Sequence, residues 1–254
     1  MEYASVEEGR RATGLRLVLT AGAPGPWGEA AKAILGWKGL DYLPVRQVAG
    51  EENRELRDWT GQASAPVAVY NDEPPVCHWL DLLCLAERLA PERPLLPADP
   101  AGRARAIGLS ALVAGVEGIG WQRRLQLLVP GMQMPEPPAM VSAIAQRFGW
   151  SETAAAEAEP RLVALLAHLD EVLAASEAEG HAYFLGAEPA APDFYWAAFA
   201  GMLRPLSATD CPMDQGLRAM YSDLSPAVAE ALTPRLLAHR DRMFASHIPL
   251  PMDF

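Results

Sequence analysis

Residues 15–19, Leu-Arg-Leu-Val-Leu, are a compact apolar run that predicts a short buried strand. A loop rich in Gly and Pro follows over 21–26. From Trp27 the apolar residues Trp27, Ala30, Ala31, Ile34 and Leu35 recur at the spacing of one helix face, and Gly39 stands where such a helix commonly stops. Residues 42–48 alternate as a second strand. Residues 51–59 read as a polar helix with Leu56 and Trp59 on one side, and Pro66-Val-Ala-Val-Tyr70 as a third strand. The turn 71–75 leads to a short return strand at Val76, and 79–89 is an apolar helix ending before Pro91. The strand–helix–strand start implies parallel pairing through a right-handed crossover.

The pattern changes after residue 90. Pro91-Glu-Arg-Pro-Leu-Leu-Pro-Ala-Asp-Pro100 is proline-dense and reads as a linker. No strand is expected beyond it. Residues 103–128 predict one long helix, and Pro135, Pro137 and Pro138 break the chain before a helical segment to Phe148. Leu162, Leu165, Leu166, Leu169, Val172 and Leu173 form an apolar stripe at helical spacing. Helices near 193–204 and 226–244 complete the set. The chain thus divides into an α/β unit over 14–90, a linker over 91–101 and an all-helical unit over 102–254. The apolar, proline-rich tail 246–254 is expected to pack back on the helices.

Composition narrows the function classes. The 254 residues suffice for a sizeable core, and half of them are hydrophobic. The formal net charge of −11 disfavours nucleic acid and anionic lipid as partners. Residues 1–11 are polar and acidic, unlike a signal peptide, and no apolar run is long enough for a bilayer, so a cytoplasmic protein without membrane contact is expected. Cys77, Cys84 and Cys211 are too few and too widely spaced for a disulfide framework or a zinc site, and the histidines are scattered, so no metal is expected.

Particular segments carry a family resemblance. Residues 27–42, from Trp27-Gly-Glu to Asp-Tyr42, match a first helix, a Lys-Gly turn and a second strand. Ser64-Ala-Pro-Val67 matches a loop before a third strand, and Tyr183-Phe-Leu-Gly-Ala-Glu-Pro-Ala-Ala-Pro-Asp-Phe194 a turn into a buried helix with Asp193 as its helix-start acid. Pro24-Gly-Pro-Trp-Gly-Glu29 and Gly120-Trp-Gln-Arg-Arg-Leu125 complete the set. In this order they resemble the cytosolic glutathione-transferase family over nearly the whole chain, in particular a bacterial and fungal branch of it. The resemblance implies a thioredoxin-like α/β domain followed by an all-α bundle, a cis proline at Pro66, glutathione as co-substrate, and a homodimer.

It also implies where chemistry belongs. Glutathione's thiol, with an ordinary pKa of about 8.5, is mostly protonated near neutrality, so a transferase must stabilise the thiolate. The position that holds Ser or Cys in some subfamilies falls on Gly25, which has no side chain, and the Tyr-type position falls near Thr20. The thiolate donor is then Thr20 or the N–H groups around Trp27 and Gly28; alternatively Thr20 is a strand-end threonine bonded to its own backbone. Glutathione would lie along the Ala65-Pro66-Val67 loop, with the Val67 backbone holding its cysteinyl part. Cys77 and His78 stand where an acid or Gln and then Ser usually hold its γ-glutamyl end. His78 reads equally as a helix cap, Cys77 as an inert, partly buried thiol, and Cys84 as core. Residues 21–28 contain no cysteine, which excludes thioredoxin-like disulfide exchange. Ala190 replaces the usual Ser or Thr cap, a loss of about 1 kcal/mol.

Trp27, Trp121, Met132 and Met134 are candidates for the wall of a hydrophobic-substrate cleft, or else plain core. Arg123 and Arg124 read as a solvated helix face, or as a contact to an acidic co-substrate or to glutathione's glycine carboxylate. The leading expectation is a transferase joining glutathione to a small hydrophobic electrophile. The alternatives are a binding protein of the same fold that has lost glutathione activation, and a structural subunit of a larger assembly.

Overall fold

The computed structural model describes residues 1–254. A short helix, α1 (Val6–Arg11), precedes strand β1 (Leu15–Thr20), helix α2 (Pro26–Trp37), strand β2 (Leu43–Gln47), helix α3 (Arg54–Thr60), strand β3 (Val67–Tyr70) and helix α4 (Trp79–Leu89). The rest is helical: α5 (Pro100–Ala114), α6 (Ile119–Met132), α7 (Ala139–Arg147), α8 (Glu152–Ala178), α9 (Ala191–Phe199) with a 3₁₀ turn over Ala200–Met202, α10 (Gln215–Ser222), α11 (Pro226–Ala231) and α12 (Pro234–Ser246).

The sheet has the order β2-β1-β3. β1 runs parallel to β2, with Thr20 opposite Gln47, and antiparallel to β3, with Val18 opposite Val67. The expected return strand at Val76 is a single bridge to Ala68, because the chain turns at once into α4. The alternation of β1 sorts its side chains onto two faces. Leu15, Leu17 and Leu19 join the large core shared with α2, α4 and the helical half. Val18 faces the other way, into a small cluster with Val45, Leu56, Val67 and Val69.

α9 holds the two halves together. Every one of its residues is buried. Tyr195 donates from its hydroxyl to the carbonyl of Trp79 at the start of α4 (2.9 Å), and Trp196 donates from Nε1 to the carbonyl of Leu236 in α12. Asp193, also buried, accepts from the backbone N–H groups of Phe184 and Ala190 and lies 2.8 Å from Nε2 of buried His239. As the alanine implies, no cap hydroxyl is present at Ala190.

Several sequence expectations are corrected. The helix expected over 103–128 is two helices, because the chain turns at 115–118: a Cβ on Gly115 would lie 2.6 Å from the carbonyl oxygen of Ala111, and one on Gly118 2.8 Å from two carbonyl oxygens, while Glu117 takes a φ of 63°. The segment 226–244 is likewise split, with Thr233 capping α12 through its hydroxyl. α1 and α10 add two short helices to the expected set. α1 lies against β2, where Gly9 lets it approach: a Cβ there would come within 2.5 Å of Val45. The tail does fold back, as expected: Met252 donates to the carbonyl of Asp210 (2.7 Å), and Asp253 meets both Lys32 and the amino terminus.

Candidate functional site

Three segments meet at one end of the sheet. β1 ends there at Thr20, antiparallel β3 starts there, and the chain beyond Val76, whose partner Ala68 stands opposite Leu17, leaves the sheet toward the same end. The register therefore brings together the loop 21–25 with the start of α2, the Ser64–Pro66 loop, and Cys77–His78 at the start of α4. Trp27, Pro66 and Trp79 line one small apolar void of about 10 Å³ together with Tyr195 and neighbouring leucines. That volume has room for about one water, so it is a packing gap under the site and not the site itself.

Gly25 caps α2 without a side chain, and Pro26 follows at the first helical position. The N–H groups of Trp27 and Gly28 have no carbonyl partner, as in the first turn of any α-helix, and with the helix dipole they favour an anion. The Ala65–Pro66 bond is cis, as the resemblance implied. Ala68 donates its N–H to Val76 and accepts from it, so alternation turns the backbone of Val67 inward to β1 and away from the ligand role expected of it. The backbone left free in this loop is that of Ala65, whose N–H and C=O make no hydrogen bond and which is partly exposed.

Thr20 faces elsewhere. Leu19 lies under α2, 3.1 Å from where a Cβ on Gly28 would stand, so its neighbour Thr20 points to the opposite face, with Val18. Its hydroxyl donates to Oε1 of Gln47 (2.7 Å), not to its own backbone. The Gln47 amide in turn donates to the carbonyls of Val48 and Ala63. Thr20 thereby ties the end of the sheet to the 61–65 loop.

At α4, His78 takes the cap role: its Nδ1 accepts from the N–H of Leu80 (3.4 Å). Cys77 is exposed, contrary to the partly buried thiol expected, because it lies on the loop leaving the sheet. Cys84 is also exposed, not core. It shares the outward stripe of α4 with Asp81 and Arg88, while Leu82, Leu83, Leu85 and Ala86 face in. Some exposure remains beside it, yet burial still pushes its thiol pKa up.

The helical half supplies an aromatic wall. Trp27 donates from Nε1 to the carbonyl of Ala114 (2.8 Å), which fixes its ring against Phe199 at a centroid distance of 4.8 Å. Phe148, just past α7, lies 5.9 Å from Trp27 and 4.6 Å from Trp121. Trp27 and Trp121 are thus brought together through Phe148, a residue to which sequence reasoning gave no role; its place directly after a helix was the only signal. Met132 is partly buried at the end of α6, and Met134 beyond it is 50% exposed.

Arg123 corrects the expectation of a solvated pair. It is buried and donates to the carbonyls of Met202, Met220, Tyr221 and Asp223, which binds α6 to the turn and loop around α10. Burial pulls its pKa down to about 10, opposed by Asp223. Arg124 instead lies with its guanidinium 5.8 Å from the Phe148 ring, and Arg147 of α7 lies 6.0 Å from the same ring.

No protein-family model matches the sequence, and no curated protein matches it either. Solved structures do. A glutathione S-transferase from Methylobacterium radiotolerans in complex with glutathione sulfonate aligns at a TM-score of 0.64 with 19% identity, covering 95% of this chain and 98% of that one. One from Methylobacillus flagellatus with glutathione bound aligns at 0.63 with 15% identity, covering 90% and 94%. One from Xanthobacter autotrophicus aligns at 0.61 with 19% identity, covering 93% and 96%. Coverage of both chains almost end to end shows that this protein has the glutathione-transferase fold, a thioredoxin-like α/β half followed by an all-helical half.

Proposed function

We propose that the protein binds glutathione across the sheet end and transfers it, as thiolate, to a hydrophobic electrophile. The observation that carries this reading is the set of free backbone groups converging there: the N–H groups of Trp27 and Gly28, and the N–H and C=O of Ala65. Ala65 has the donor and acceptor needed to pair an extended peptide such as the cysteinyl unit. The start of α2 then stabilises the sulfur anion without any hydroxyl, while Cys77 and the start of α4 lie at the γ-glutamyl end. The thiol proton leaves to solvent. The thiolate forms a carbon–sulfur bond with the electrophile, whose leaving group departs with the electron pair, beside the aromatic wall of Trp27, Trp121 and Phe148. A homodimer, as in the family it resembles, belongs to the same proposal.

A second reading has its own observation: Gly25 offers no side chain, and the Thr20 hydroxyl is already given to Gln47. A protein so equipped can hold glutathione and leave its thiol unactivated. Titration with glutathione, followed by calorimetry and tryptophan fluorescence, tests both. Saturable binding with the bound thiol pKa shifted below its usual value of about 8.5 supports the transferase. Binding with an unshifted thiol favours the second reading, and absence of saturable binding overturns both. Sedimentation velocity tests the dimer.

A further inference from the structure

Arginines in this protein are bonded wherever they are shielded from water, with one exception. The shielded Arg16, Arg123, Arg218, Arg235, Arg240 and Arg242 all donate to carbonyls or carboxylates. Arg124 is partly buried and has its Nε sealed from water, yet it gives a proton to no acceptor. Its neighbour Arg147 is exposed and makes no hydrogen bond or ion pair, and partial burial of its charge pulls its pKa down.

The surroundings of this pair are cationic and aromatic. Arg147 feels Arg124 as a like charge and lies within electrostatic reach of Cys77. Both guanidiniums sit on Phe148, whose ring also touches Trp27 and Trp121. Cation–π contact offsets part of the lost hydration but provides no hydrogen-bond acceptor. In a chain of net charge −11, two uncompensated arginines at one place leave a local demand for an anion. A planar carboxylate answers it, since guanidinium donors match its two oxygens.

We propose that Arg124 and Arg147 form a carboxylate-binding subsite on the helical wall, beside Phe148. It rests on the cleft of the proposed function for its surroundings. The carboxylate has two chemical sources: the γ-glutamyl end of glutathione, placed near Arg147 by Cys77, or an acidic aromatic co-substrate seated against Phe148 and Trp121.

The test measures binding of glutathione and of benzoate, with uncharged benzamide as control, to wild type, Arg124→Gln, Arg147→Gln and the surface variant Arg105→Gln. The expected result is a loss of roughly tenfold or more in both cleft variants for at least one anionic probe, and none in Arg105→Gln. Loss for glutathione identifies the γ-glutamyl source; loss for benzoate but not benzamide identifies the acidic co-substrate. Wild-type affinity for that probe also falls as salt is raised, a readout that needs no variant to fold. Affinities unchanged within about twofold in either cleft variant, or an affinity indifferent to salt, overturn the subsite. Benzoate binding that depends on both arginines in a protein that ignores glutathione keeps the subsite and ends the transferase reading. Glutathione binding indifferent to both arginines, with no benzoate binding, does the reverse.

Discussion

Thr20 shows how a single side chain's direction decides its role. Its position at the end of β1 suits a thiolate donor, but strand alternation puts it with Val18 on the face away from α2, where it donates to Gln47. Thr20→Val should therefore lower stability by about 1 kcal/mol, read from the urea midpoint, through the lost bond to a nearly buried Gln47. In the same variant, glutathione-dependent turnover should stay within about twofold of wild type. A collapse of turnover with stability intact would return Thr20 to the catalytic role. Arg123 and Arg124 make the same point as neighbours in sequence: one turn direction buries Arg123 among four carbonyls, the other leaves Arg124 beside Phe148 without an acceptor.

At the scale of elements, the close approach of the start of α6 to the end of α9 positions the aromatic wall. Gly120 lets the helices meet, because a Cβ there would stand 2.3 Å from Cε1 of Phe199 and 3.3 Å from Cη2 of Trp27. In Gly120→Ala the overpacking, about 1–3 kcal/mol, should exceed the roughly 1 kcal/mol that helix propensity returns. The expected outcome is a lower urea midpoint together with altered tryptophan fluorescence as Trp27 is displaced. The start of α9 predicts the opposite sign. Asp193 already accepts from the N–H of Ala190, so Ala190→Ser supplies the missing half of a capping box and should raise stability by about 1 kcal/mol, checked by thermal unfolding.

For the whole molecule, the segment after α12 links the two halves. His247 lies 5.1 Å from Trp37 of α2, edge to face, and its Nε2 is 2.7 Å from the Tyr183 hydroxyl. Burial holds its pKa below the ordinary 6.5, with nearby Arg93 adding to the effect and Asp193 opposing it. A histidine depressed in the folded state gives stability that is present above pH 6.5 and is lost as pH falls through the folded value, since the unfolded chain takes up the proton first. Urea midpoints at pH 7.5 and pH 5.5 should therefore differ more in wild type than in His247→Gln. Equal differences in the two proteins would show that other groups carry the acid sensitivity.

Much of this architecture was legible in the sequence alone. Apolar periodicity and proline placement located β1, α2, β3, α4 and the stripe of α8, because burial of one face leaves a period that needs no partner to be seen. The family resemblance carried by the local motifs also implied the cis Pro66 and Asp193 as the helix-start acid. What the sequence could not decide depends on contacts between distant segments. The break at 115–118, the exposure of Cys84, the free backbone of Ala65 and the meeting of Trp27, Trp121, Phe148, Arg124 and Arg147 follow from which faces pack together. A period records that a side is buried; only the tertiary structure decides what it is buried against, and so which polar groups are left without a partner.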